Sequence, residues 1–294
     1  MTSPSPSKII ALSQKEILGI KVHNLTKSEF LDQVNYLIQE KKQSYVVTPY
    51  SEFLVTVQKD PLFRETINSA DLSIADGVGI PLALKYLKAK GIYFPLIKCL
   101  FALVFNRNYF DDEIKEKLSG SEAIYYLSEF ASKKGYSLFL LGGLDMGNGN
   151  TGELAAKKLK ALYPSLKILG TYSGSPALAE EATIISRINR ASPDLLYIAY
   201  GPVAQEKWIF RNKNKLVPCV SFCLGGSFDF VSGEKRKVPK LLSDHGLEGV
   251  LRPFISERGN PKLIYRRIKR AWVGIINYIF LLIKEKRKLR DSNE

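Results

Sequence analysis

Four short stretches of this chain carry side chains able to do chemistry. In the first, Ala75-Asp76-Gly77-Val78-Gly79, a carboxylate stands among small residues just after the strand predicted at 72–74. A carboxylate at a strand end with glycines beyond it is open to a substrate. It can take a proton from an attacking hydroxyl, or it can cap the helix that follows. The second stretch is residues 140–152, LLGGLDMGNGNTG. Gly142 and Gly143 would let the backbone come close to a phosphate, and the helix start behind them offers free N–H groups. Gly147 to Gly152 also matches G-x-G-x-x-G, the dinucleotide fingerprint. That fingerprint wants an acidic residue about 20 positions later, where this chain has Gly170-Thr171-Tyr172-Ser173-Gly174. The substitution counts against a nicotinamide cofactor and leaves other nucleotide diphosphates, or a plain glycine-rich turn, open.

The third stretch is residues 200–208, YGPVAQEKW, and the fourth is 224–230, LGGSFDF. In the third, Gly201 opens a turn, Gln205 has an amide that can bond a sugar or phosphate, and Glu206 suits the positive end of a helix dipole. In the fourth, Gly225 and Gly226 precede Asp229. Each stretch alone is an ordinary turn; four at one edge of one sheet make a stronger signal.

The elements that must position them alternate. Strands are predicted at 17–22, 44–48, 72–74, 137–141, 166–169, 195–199 and 217–224. Helices are predicted after Thr26, from about Ser51, at 121–134, 151–163 and 177–191, and from Gln205. Thr26-Lys27-Ser28-Glu29 is a capping-box pattern. Continuous apolar strands separated by helices imply an α/β, Rossmann-like, mainly parallel sheet covered on both faces. Sites in such sheets lie at the carboxyl ends of the strands, where all four stretches fall. The predicted organisation is a disordered tail at 1–16, a sheet domain at 17–250 and a basic C-terminal appendage at 251–294.

Composition narrows the partners. The formal net charge of +14 implies an anionic one: nucleic acid, acidic lipid or a phosphorylated substrate. Three cysteines give no disulfide framework and suggest a reducing compartment. Cys219 and Cys223 are a poor metal pair, since only His23 and His245 could assist. No apolar run reaches the roughly 18 to 20 residues of a spanning helix, and the start lacks a secretory signal pattern. Residues 271–283 are an uncharged run between two basic clusters, the pattern of an interfacial helix drawn to anionic lipid. A core helix or an oligomer interface is the other reading. Residues 92–105 are apolar apart from Lys98. There is no D-x-D metal motif, and Asp111-Asp112-Glu113 reads as an exposed helix start. A metal-independent reaction with no cofactor is expected, with cations such as Arg252, Arg258 and Arg266 receiving a diphosphate.

Taken in order, Thr48-Pro49…Glu52, Asp76-Gly77-Val78-Gly79, Ser119-Gly120-Ser121, Leu140-Leu141-Gly142-Gly143, Gly201…Gln205-Glu206-Lys207-Trp208 and Gly225-Gly226-Ser227-Phe228-Asp229-Phe230…Gly233…Pro239…Gly246-Leu247-Glu248…Arg252 resemble the WecG/TagA/CpsF family of glycosyltransferases. The likeness covers roughly residues 17–270. It implies inverting transfer from a UDP-sugar to a polyprenyl-diphosphate-linked sugar in cell-surface polysaccharide synthesis. It also implies Asp76 as base, Thr48 and Gln205 lining its pocket, and a basic C-terminal segment with Arg252 closing over the diphosphate at the inner face of the membrane. The chain departs from the usual pattern at Tyr50, at Lys117 and in residues 253–262. Two other classes fit the residues less well. A nicotinamide-linked oxidoreductase would use the Gly147–Gly152 loop. A non-catalytic basic protein would bind lipid or nucleic acid, and charge clustered around an apolar helix favours lipid.

Overall fold

A computed structural model of the chain describes residues 12–145, 149–234, 255 and 261–292. Its centre is a six-stranded sheet built from β3 (Ser44–Val47), β4 (Leu72–Ser73), β5 (Ser137–Gly142), β6 (Lys167–Tyr172), β7 (Leu195–Ala199) and β8 (Val220–Cys223). The spatial order is β4-β3-β8-β7-β5-β6, and every pairing is parallel. This is the α/β, Rossmann-like architecture that the alternating pattern predicts.

The helices are α1 (Lys27–Gln39), α2 (Ser51–Thr56), α3 (Pro61–Asn68), α4 (Gly79–Lys88), α5 (Tyr93–Phe105), α6 (Gly120–Lys134), α7 (Thr151–Leu162), α8 (Glu181–Ala191), α9 (Ala204–Asn212), α10 (Ser227–Ser232) and α11 (Pro261–Asp291). Alternation along the strands sorts them into two layers. Val46, Leu138, Leu140, Leu195 and Tyr197 face a core shared with α1, α6, α7 and α10. Tyr45, Val47, Phe139, Leu141, Leu196 and Ile198 face the other core, shared with α2, α3, α4, α5, α8, α9 and α11. The strands must therefore be apolar on both sides, which is why they read as continuous hydrophobic runs.

Local chemistry sets the element ends. Thr26 accepts from Glu29 N and Glu29 reaches back to Thr26 N, the capping box predicted for α1. The strand predicted at 17–22 is instead a hairpin, β1 (Gln14–Ile17) with β2 (Ile20–His23). Its turn residues Leu18 and Gly19 have φ of 51° and 82°, as a tight two-residue hairpin requires. Residues 14–16, predicted to lie in the disordered tail at 1–16, are instead part of β1, and residues 1–11 lie outside the described set. His23 anchors the hairpin beside β4: its Nδ1 accepts from Ser73 N at 3.0 Å, and burial holds its pKa below the usual value.

The C-terminal segment is a single helix of 31 residues rather than the 13-residue run legible in the sequence. Tyr278 and Leu282 are buried in the core beside α2 and α4. Tyr278 Oη donates to Gly79 O at 2.6 Å, and Lys286 Nζ donates to Leu87 O and Ala89 O at the other end of α4. A cation at the carboxyl end of a helix satisfies its last carbonyls and meets the negative end of its dipole. α11 is therefore clamped along α4 at both ends. No described helix is long and apolar enough to cross a membrane.

Candidate active site

The carboxyl ends of β3 and β4 bring Thr48 and Asp76 together. Asp76 N donates to Pro49 O at 2.9 Å, which fixes the β4–α4 turn against the segment after β3. Both side chains converge on the first residue of α6. A Cβ added to Gly120 would stand 3.0 Å from Asp76 Oδ2 and 3.1 Å from Thr48 Oγ1. The glycine thus vacates the space in which the two oxygens sit, and the positive end of α6 faces the carboxylate. Asp76 and Thr48 are only half-buried, so a substrate can reach them. Tyr126, on the second turn of α6, has a buried hydroxyl with no partner among the described residues. Burial, and next the negative charge of Asp76, push its pKa up, so the phenol stays neutral beside the carboxylate.

The other turns at this edge are built differently. Gly142 and Gly143 have φ of 97° and 108°, and added Cβ atoms would stand 2.6 Å from Ala199 O and 2.7 Å from Gly152 N. These glycines let β5 end hard against β7 and the start of α7. Gly143 N–H donates to Ala199 O at 3.2 Å. Thr151 Oγ1 accepts from Leu144 N at 2.9 Å and donates to Asp229 Oδ1 at 3.1 Å, so Asp229 is buried and tied to α7. Gly201 has φ of 84° and open space beside it.

Gln205 is buried as well. Its Oε1 accepts from Gly225 N at 3.0 Å, and its Nε2 donates to Glu206 Oε1 at 2.7 Å. Glu206 Oε2 accepts from Val203 N at 2.6 Å. Val203 has φ of 71°, a conformation that a β-branched residue adopts only under constraint. The chain Val203–Glu206–Gln205–Gly225 therefore holds the β7–α9 turn to the β8–α10 turn. Burial pushes the Glu206 carboxyl up to about 7, against the pull of its hydrogen bonds. The two halves of the edge meet at Ser227, whose Oγ lies 2.6 Å from Leu224 O and 3.2 Å from Gly120 O.

A half-buried carboxylate and hydroxyl at a helix start, on the carboxyl edge of a doubly wound sheet, suit proton abstraction from a bound hydroxyl. Comparison with known proteins gives that chemistry a context. The model of the glycosyl transferase WecG/TagA/CpsF family matches residues 15–94 and 101–292. The chain belongs to this family. It is 24% identical over 279 residues to the N-acetylglucosaminyldiphosphoundecaprenol N-acetyl-beta-D-mannosaminyltransferase of Staphylococcus aureus strain MRSA252, covering 94% of this chain and 95% of that protein. The same enzyme of strain NCTC 8325 / PS 47 is 23% identical over the same shares.

Thr48, Asp76 and the glycine turns all lie at the carboxyl edge of the sheet. A cavity of about 420 Å³, lined by Gln39, Lys41, Tyr136 and Asp194, opens at the opposite, amino edge, and Asp194 there is bonded to Ser137. Among the expected cations, Arg252 and Arg258 lie outside the described residues. Arg266 is exposed on α11, about 18 Å along the helix axis from Tyr278 at a rise of 1.5 Å per residue. Asp111-Asp112-Glu113 is not an exposed helix start. It is an irregular turn in which Glu113 is buried and paired with Lys88 at 2.6 Å and with Lys15. Cys219 and Cys223 are buried, and Cys219 Sγ donates to Gln43 Oε1. No cluster of three His, Cys, Asp or Glu side chains placed to hold a metal occurs among the described residues.

Reading the sequence missed the roles of three residues. Gly120 stands within the family pattern, but nothing local says that it makes room for Asp76 and Thr48. Tyr126 looks like one more apolar-face aromatic. Glu206 reads as a surface partner of a helix dipole, whereas it is buried at the centre of a relay.

Proposed function

We propose that this glycosyltransferase moves an N-acetylmannosamine-type sugar from a UDP-sugar to a polyprenyl-diphosphate-linked N-acetylglucosamine at the inner face of the cell membrane, inverting the anomeric configuration. The acceptor and the sugar follow the names of the Staphylococcus aureus relatives; the UDP donor follows the family resemblance. The observation that carries the reading is the convergence of Asp76 and Thr48 over Gly120.

In this mechanism the acceptor hydroxyl lies against Asp76 and passes its proton to the carboxylate as the oxygen attacks the anomeric carbon. The bond from that carbon to the diphosphate breaks on the opposite face, and its electron pair leaves with UDP. Thr48 Oγ1 orients the attacking hydroxyl. The edge at Gly142, Gly143, Gly201, Gly225 and Gly226 receives the donor, while Gln205 and Asp229 hold that edge in shape from inside. Arg252, Arg258 and Arg266 are the proposed cations for the departing diphosphate, so no metal is required. The acceptor carries its own lipid, and α11 brings a basic, apolar helix to the same side of the molecule as α4.

The test is acceptor-dependent release of UDP from a panel of UDP-sugars, with a short-chain polyprenyl-diphosphate N-acetylglucosamine as acceptor. Release from UDP-N-acetylmannosamine alone is the expected result. Release from another donor would overturn the sugar assignment. No acceptor-dependent release from any donor would overturn the reaction proposed here.

A further inference from the structure

α5 carries an apolar face that the described fold leaves uncovered. Pro95, Leu96, Cys99 and Ala102 are buried against the core, on one side of the helix. Phe94, Ile97, Phe101 and Phe105 lie on the other side and are 76%, 64%, 61% and 70% exposed. The rings of Phe101 and Phe105 stack at 4.4 Å, which presents one aromatic ridge to the outside. α11 is similar in character: its Tyr278–Leu282 seam packs inward, while Phe280 on the opposite side and Trp272 on the flank are exposed. Arg287 donates to Tyr93 Oη at 2.9 Å, joining the two helices. Contiguous exposed apolar surface of this kind marks an interaction site. Residues 95–100 fall outside the family-model match, while Phe94, Phe101 and Phe105 lie within it.

We propose that α5 is a membrane wedge. Its Phe94–Phe105 ridge inserts at the headgroup–acyl boundary of an anionic bilayer beside α11 and holds the Asp76 edge at the surface where a lipid-linked acceptor is presented. The proposal rests on the reading of the acceptor as lipid-linked. Charge complementarity selects the bilayer over a second copy of the chain. α5 has no acidic residue and one lysine, Lys98, and the uncharged stretch of α11 runs into Lys284, Lys286, Arg287 and Lys288, with Glu285 the one acidic residue among them, on a chain of net charge +14. Two such surfaces facing each other in a dimer would repel, whereas anionic headgroups attract them. Length sets the depth. Thirteen residues of α5 span about 20 Å against the roughly 30 Å hydrocarbon core of a bilayer, so the helix lies in the interface instead of crossing it. Tyr278, which seats α11 on Gly79, ties this surface to the segment three residues beyond Asp76.

The three cysteines Cys99, Cys219 and Cys223 are buried, so a cysteine placed at Phe101 can be labelled selectively. Phe101→Cys bearing an environment-sensitive fluorophore is mixed with phosphatidylglycerol-containing vesicles carrying doxyl lipid. The expected result is a blue shift with quenching by the doxyl group, weak with pure phosphatidylcholine and absent for a label at Lys133→Cys on α6. A blue shift that grows with protein concentration without vesicles, and is not quenched by doxyl lipid, would overturn the proposal in favour of a self-interface. Unquenched label on protein that still floats with the vesicles would also overturn it, leaving α11 as the sole anchor.

The variant Phe94→Ser/Phe101→Ser/Phe105→Ser is expected to partition to these vesicles less by about a hundredfold or more, given the apolar area of three rings withdrawn from lipid. Its turnover should fall on a vesicle-borne long-chain acceptor and stay unchanged on a water-soluble short-chain one; equal losses on both would overturn the wedge. Absence of turnover by the unsubstituted protein on either acceptor would strike the lipid-linked acceptor reading instead, and the quenching result would still decide the wedge.

Discussion

Two halves of one sheet edge share a sequence signature, a polar residue beside glycines at a strand end, and use it in opposite ways. At β3 and β4 the polar atoms of Thr48 and Asp76 crowd a glycine, and both residues are half-buried. At β5, β7 and β8 the polar atoms of Thr151, Asp229, Gln205 and Glu206 are buried and bonded to one another or to backbone. In the proposed mechanism the first half supplies reactivity and the second supplies rigidity. What separates them is burial, because a buried polar group satisfied inside the fold gains little from a ligand and loses much if disturbed.

The largest effect should come from the first half. Asp76→Asn keeps the shape and removes the base, and the expected result is a loss of about a thousandfold in kcat, since a positioned general base contributes about 100- to 10 000-fold. The unfolding midpoint should hardly move. Near-normal turnover would remove Asp76 from the chemistry and with it the contrast between the halves.

Gly120→Ala sharpens the same contrast. The new methyl would stand 3.0 Å from Asp76 Oδ2 and 3.1 Å from Thr48 Oγ1, closer than side-chain atoms comfortably approach. Gly120 begins a helix with ordinary backbone angles, where alanine is tolerated or favoured. The expected outcome is intact or slightly raised thermal stability with kcat lower by about ten- to a hundredfold, as small misplacements of reacting groups cost. Loss of stability with unchanged kcat would show that the convergence serves packing alone.

How far the sequence reveals these roles depends on the distance over which each is decided. The α1 capping box is legible because Thr26 and Glu29 settle it between themselves. The strand layers are legible because each strand must be apolar on both faces. Gly120 is opaque because its purpose depends on Thr48 and Asp76, which reach it only through the sheet's strand order. The β1–β2 hairpin is hidden because Leu18 takes a positive φ that a leucine rarely signals. Val203 does the same in the turn after β7, and only the buried Glu206 carboxylate explains why that conformation is held. Lys286 sits among the basic residues after 283 and looks like one more surface charge, yet it is buried on the last carbonyls of α4, where burial holds its pKa down.

The smallest effect on catalysis, and the most distinctive effect on stability, belongs to Glu206. Burial pushes its carboxyl up to about 7 from a usual value of 4.5. Between those two values the folded chain holds a proton that the unfolded chain has released. The stabilisation from this group is therefore complete below about 4.5, declines as pH rises towards 7 and changes no further above it. Glu206→Gln cannot titrate, and its amide presents an NH2 either to Val203 N or to Gln205 Nε2, leaving one donor unpaired at a cost of about 1–3 kcal/mol. The variant should unfold at lower urea than the unsubstituted protein, with a gap that is wider at pH 5 than at pH 8. A gap of constant width would mean that the carboxyl titrates normally and that the relay is open to water. At pH 8 and below the unfolding temperature, kcat should fall only a few-fold, because Glu206 acts through the shape of the edge and touches no reacting atom. A loss approaching that of Asp76→Asn would move Glu206 from the rigid half of the edge to the reactive one.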